Sequence, residues 1–138
     1  MKKHEYLPHT ADIRVKVESD SLEGLFHSSL EAINEVIKKK HRKKNNTKEI
    51  TRRVEVNASD VTVLLIDFLS EVLTETHTEK VLFPKLEILR LTDHSIAAKI
   101  SGYPIDYFDE DIKAVTYHEA EVIKNEKGNW ETIIIFDI

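Results

Sequence analysis

The chain has 138 residues, 41% hydrophobic and 33% charged, with a formal net charge of −5, three glycines, three prolines and no cysteine. This length suits a single domain, expected over 1–138, that buries its own core without staples. The lack of cysteine excludes disulfides, thiolate zinc sites and cysteine nucleophiles, and the acidic balance argues against a general nucleic-acid binder, which relies on excess Lys and Arg.

The opening stretch MKKHEYLPHTAD has no apolar run behind it of the kind a signal peptide carries. Nothing in the chain approaches the roughly 18 consecutive apolar residues of a membrane span. A cytoplasmic protein without membrane contact is expected, and the absence of cysteine fits a reducing compartment.

Residues 8–12 read PHTAD, a turn by composition, since Thr10 and Asp12 are residues whose side chains bond nearby amides. From Ile13 to Val17 the apolar residues alternate with Arg14 and Lys16, which predicts a half-buried strand. DSLE at 20–23 has a capping-box form with Asp20 as the cap. Leu22, Leu25, Phe26, Leu30, Ile33 and Ile37 then recur at helical spacing. The run KKKHRKKNNTK at 38–48 holds seven Lys and Arg. A solvated loop is its first reading, and contact with RNA or with an acidic protein surface the second.

Ile50, Val54 and Val56 predict a second strand, with Arg52 on the same face. ASD at 58–60 caps a second helix, whose apolar stripe runs from Val61 to Leu73. VLFPKLEILRLT and SIAAKIS read as strands joined by a turn at 92–95. GYPIDYFDED at 102–111 is a loop with four carboxylates, and IKAVTYHEAEVI and WETIIIFDI are strands joined through KNEKGN. The order predicts an α+β two-layer sandwich, a mostly antiparallel sheet with two amphipathic helices packed on one face.

Few groups stand out for chemistry. The final strand is apolar enough to lie inside the sheet and ends on Asp137 and Ile138. If its end meets the start of the first strand, Asp12, Asp137 and the oxygens of Ile138 converge, a set that suits a hard divalent cation. Turn capping at Asp12 and an exposed strand end explain the same residues, so both readings stay open on spacing alone. The seven histidines show no His-x-x-x-His pair for zinc. His27 reads as a solvated helix residue, while His9 and His118 are candidates for hydrogen bonding near a site. Asp67 and Glu71, four apart, read as a wet helix face before a catalytic pair. No nucleophile elbow or phosphate-cradling glycine loop is present.

HTAD at 9–12, LLIDFLSEVL at 64–73, LFPKLEI at 82–88, KAVTYHEAEV at 113–122 and the final FDI together resemble the archease family, in order and over nearly the whole chain. The resemblance implies a small α+β protein that is not itself an enzyme. It would activate an RtcB-type RNA ligase in tRNA splicing by promoting guanylylation and multiple turnover. It also implies a divalent metal site, calcium first and Mg or Mn as alternatives, at Asp12, Asp137 and Ile138, with Lys113 as a further functional residue. A broader role as chaperone or adaptor for RNA-modifying enzymes, such as a tRNA methyltransferase, is the competing implication. A metal-dependent hydrolase using the same carboxylates would need a base–nucleophile pair that the residues do not offer. The segment after Gly102 departs from the family pattern: Tyr103 follows the glycine, and IDYFDEDI contains no histidine.

Overall fold

The computed structural model describes residues 12–39 and 47–138. Strand β1 (Asp12–Ser19) leads into helix α1 (Leu22–Ile37), then β2 (Ile50–Asn57) and helix α2 (Val61–Glu79). The hairpin strands β3 (Val81–Leu91) and β4 (Ser95–Pro104) follow, then the short β5 (Ala114–Thr116) and β6 (Ile123–Lys124), and finally β7 (Trp130–Asp137). This is the expected α+β architecture with antiparallel strands, but the strands divide between two sheets. One has the order β1-β7-β5, with β6 also on β7; the other has the order β2-β4-β3.

The helices close both sheets over one core. Helix α1 packs on β1, β7 and β3, whereas α2 packs on β2, β3, β4 and β5. The Phe26 and Phe68 rings join the two helices at 5.6 Å between centroids, tilted by 54°, a spacing typical of favourable aromatic pairs. Inside α1 the buried Asn34 donates its side-chain N–H to the Phe83 carbonyl at 2.8 Å, tying the helix to β3. That bond satisfies a backbone acceptor that would otherwise be costly to bury.

The caps explain where the helices begin and end. Asp60 accepts from the Val63 N–H at 2.9 Å, as expected. On α1 the cap is Ser21, whose hydroxyl accepts from the Gly24 N–H at 3.0 Å, and the expected capping residue Asp20 lies one position too early. At the other end of α2, Lys80 adopts a left-handed conformation with φ of 53° and terminates the helix.

Residues 112–123, expected as one strand, break into β5, a turn and β6. Glu119 has a positive φ of 59°, and the Val122 N–H donates to the Thr62 hydroxyl at the start of α2. That long-range bond draws the segment off the sheet line. The β6–β7 hairpin is fastened to β1 by Glu18, which accepts from the Asn129 and Asn125 side-chain amides at 2.9 and 2.8 Å.

Two measurements test these points. A Cβ on Gly102 would sit 1.6 Å from the Leu82 carbonyl oxygen, so Gly102→Ala should cost about 3 kcal/mol by urea denaturation, at the upper end of overpacking penalties. Hydrogen bonds from Asn129, then Asn125, hold the Glu18 carboxyl below its usual range. The fastening is therefore complete above the ordinary glutamate value of about 4.3 and is lost as pH falls through the lower folded value. The Asn125 and Asn129 side-chain amide signals should titrate together below that ordinary value, and Asn129→Ala should move the midpoint up.

Candidate functional site

The core fixes which residues of β1 and β7 face outward. Val17 on β1 and Ile134 and Phe136 on β7 are buried in the shared core. Alternation then turns Asp12, Arg14 and Lys16 to the opposite face, together with Ile133, Ile135 and Asp137. In this register Asp12 stands directly across from Asp137. Cβ atoms of residues opposed in this way lie about 4.5–5.5 Å apart, so the two side chains leave the sheet side by side on one face.

Three further contacts define the surroundings. Ile138 is half-buried and packs on the core, which holds the main chain beyond Asp137 in place. Ala114 pairs with Asp137 from the other side of β7. The Lys113 N–H donates to the Asp137 carbonyl oxygen at 2.7 Å. Asp12, Asp137, Ile138 and Lys113 thus come together across β1, β7 and the approach to β5, with Lys113 and Asp12 exposed.

The histidines fare differently. His9 lies outside the described residues. His118 is exposed in the turn after β5 and forms no hydrogen bond or ion pair with a described residue. His27 is exposed on α1, as read from its position.

Contacts that sequence patterns did not single out hold the turn around His118. The Tyr117 hydroxyl donates to the Asp67 carboxylate on α2. Arg14, opposite Ile135 on β1, pairs with Glu119 at 2.8 Å. Asp67 is therefore committed to a tyrosine and not to a carboxylate pair with Glu71. The one trace of this in the sequence is an aromatic residue directly after the short apolar strand; nothing local points to its partner 50 residues away.

The basic and acidic loops meet. Asp109 donates its N–H to the Ile37 carbonyl at 2.8 Å and accepts the Lys39 N–H at 2.8 Å, which closes the end of α1. The Lys38 ammonium lies 3.6 Å from the Asp109 carboxylate and over the Tyr107 ring. Residues 40–46, most of the run read first as a solvated loop and second as a contact for RNA or an acidic protein surface, lie outside the described residues. Among the described residues no group of three His, Cys, Asp or Glu side chains is placed to hold a metal. The oxygen set at the β1 and β7 ends consists of two side-chain carboxylates and the main-chain oxygens of Ile138.

The Tyr117 contact yields a direct test. The hydrogen bond to Asp67, followed by partial burial and the nearby carboxylate charge, pushes the Tyr117 phenol up. In an ultraviolet pH titration compared with Tyr117→Phe, this tyrosine should ionise above the ordinary value of about 10. Asp67→Asn should bring it back down.

Comparison with known proteins follows this geometry. The model of the "Archease protein family (MTH1598/TM1083)" matches residues 4–138. Protein archease of Methanosarcina mazei is 34% identical, covering 99% of this chain and 97% of its own length. Protein archease of Pyrococcus abyssi is also 34% identical, over 100% of both chains. The solution structure of Methanobacterium thermoautotrophicum protein 1598 superposes with a TM-score of 0.70 at 28% identity, covering 96% of each chain. The crystal structure of an archease, possible chaperone, from Thermotoga maritima superposes at 0.68, with 19% identity and coverage of 100% of this chain and 99% of its own. No helix among the described residues is long and apolar enough to cross a membrane. The chain belongs to the archease family.

Proposed function

We propose that this archease is an accessory protein that binds a divalent metal ion at Asp12, Asp137 and Ile138 and through that site activates an RtcB-type RNA ligase by promoting its guanylylation. The observation that carries the reading is the register of β1 on β7, which sets the two carboxylates opposite each other. Like charges directly across a strand pair are unfavourable unless something compensates them. Here Asp137 stands on a strand end held by Ile138 packing and by the Lys113 N–H, so its side of the pair is fixed.

The donor set fits a hard cation. Two carboxylates and main-chain oxygens are the ligands Ca²⁺ takes, and Mg²⁺ or Mn²⁺ accept the same types. A bound cation would supply positive charge that neutralises the pair and offers open coordination positions to an anionic group of the ligase. Asp12 and Asp137 would hold it, Ile138 would contribute main-chain oxygens, and the Lys113 N–H would orient the Asp137 peptide. The Lys113 ammonium is exposed and suits a phosphate or carboxylate of the ligase better than the metal.

The second reading is a broader chaperone or adaptor for RNA-modifying enzymes such as a tRNA methyltransferase. The description of the Thermotoga maritima neighbour as a possible chaperone favours it. Purified pull-downs separate the two: one RNA-ligase client supports activation, several unrelated clients support the adaptor.

For the leading reading, calorimetric titration with Ca²⁺ should detect one site, weakened at least tenfold in Asp12→Asn and in Asp137→Asn. The same variants should lose at least tenfold in stimulated guanylylation of the ligase. Lys113→Met should keep the metal and lose stimulation. Full stimulation by both aspartate variants would remove the site from the mechanism.

A further inference from the structure

Strand β1 has one edge on β7 and one edge with no described partner. A free edge displays a row of unpaired N–H and C=O groups, and folds usually blunt such edges. The β3, β5 and β6 edges here are blunted. Strand β3 carries Pro84 and two register shifts. Strands β5 and β6 are three and two residues long. Strand β2 is also eight residues long, proline-free and in unbroken register with β4, but its Thr51 carbonyl accepts from the Arg52 guanidinium at 2.9 Å. Strand β1 has none of these devices: it runs eight residues without proline and in unbroken register with β7.

Beside this edge lies a groove shared with α1. One part, of about 690 Å³, is lined by Ile13, Val15, Ala32 and Val36, with Glu35, Glu110, Asp109 and the cation Lys39 at its rim. Its continuation, of about 270 Å³, touches the consecutive residues Val15, Lys16, Val17 and Glu18 of β1, and Ser28, Glu31 and Ala32 of α1. Four consecutive strand residues can line one depression only if the backbone edge itself forms the wall, because their side chains alternate between faces. Ser28 and Ala32 are small, so α1 leaves room where the next strand's inward side chains would sit. Ile13, Val15 and Val36 are only partly covered by the core.

We infer that this edge and groove take up an extended segment of a partner protein by strand addition. The segment has apolar side chains at alternate positions and lysine or arginine between or beside them. Main-chain bonds to β1 supply affinity, and the groove over Ala32 and Val36 selects alternate side chains. The rim selects charge: Asp109 is taken up by Lys38 and the end of α1, but Glu31, Glu35 and Glu110 pair with no described residue and outnumber the rim cation Lys39, so a basic segment is drawn in and an acidic one repelled. A second copy fits poorly, because two-fold pairing of β1 with itself would set the two α1 rims of like sign against each other.

The test uses the full chain, labelled for NMR, and a ten-residue peptide alternating lysine with valine as the probe. Shifts should concentrate on Val15, Val17 and Ala32, and the outward β1 amides should exchange more slowly with the peptide bound. The same peptide with glutamate for lysine should bind at least tenfold more weakly. Ala32→Trp, which fills the groove, should weaken binding at least tenfold. Glu31→Lys with Glu35→Lys, both at exposed positions, should weaken it several-fold at low salt and less at high salt, and keeps the test decisive if Ala32→Trp unfolds. The proposal is overturned by peptide shifts centred elsewhere. It is equally overturned if, in the free protein, nuclear Overhauser contacts tie residues 2–7 or 40–46 to Val15 or Ala32. Protection of β1 that grows with protein concentration would assign the edge to a second copy and also overturn it.

Discussion

Strand β7 is the element on which the first sheet depends. β1, β5 and β6 each pair with it and with no other described strand, so its alternation of buried and outward residues dictates the register of all three. Ile134 and Phe136 are fully buried. A slip of one residue would turn them out and bring Glu131 and Asp137 against the core together with Ile133 and Ile135, an exchange opposed chiefly by the cost of burying two carboxylates. The opposition of Asp12 and Asp137 follows from this constraint. It is set by core packing of the adjacent residues Ile13 and Phe136 and requires no contact between the carboxylates themselves, whose mutual charge works against it.

That dependence explains which parts of the molecule could be read from the chain. Both helices, β2 and the β3–β4 hairpin carry their period within a few residues, and Asp60 marks its helix by a local bond to Val63. Ser21 and Asp20 are neighbours of similar capping power. Only the path of the backbone after Ser19 decides between them. The segment 112–123 looked like one strand because its apolar residues nearly alternate. It breaks because Tyr117, Glu119 and Val122 are held by Asp67, Arg14 and Thr62, partners that no local pattern names. The split into two sheets has the same origin, since pairing is a property of distant segments.

The candidate site was legible in residue types and not in spacing. An aspartate at the mouth of one strand and another at the end of the last strand suggested hard oxygen ligation, but only the register makes them neighbours. The two loops show the opposite case. The basic run after α1 and the acidic run after β4 read as separate solvated features. In the fold Asp109 closes the helix end by bonding both Ile37 and Lys39. At least one of the four loop carboxylates therefore serves the helix terminus, where a main-chain donor and acceptor otherwise lack partners.

Strand β1 can serve the core, the candidate site and a free edge at once because a strand separates these duties by geometry. Its inward residues Ile13, Val15 and Val17 face the core, its outward Asp12 faces Asp137, and its hydrogen-bonding direction is perpendicular to both. A segment added at the free edge would lie about 4.8 Å from β1 and run its whole length, past Asp12 at one end. It would meet the carboxylate pair from the side, without displacing Asp137 or the Lys113 bond on the far side of β7. The two surfaces are thus adjacent but mechanically separate. The register that positions the carboxylates is held by β7 and the core, and occupation of the edge leaves that register unchanged.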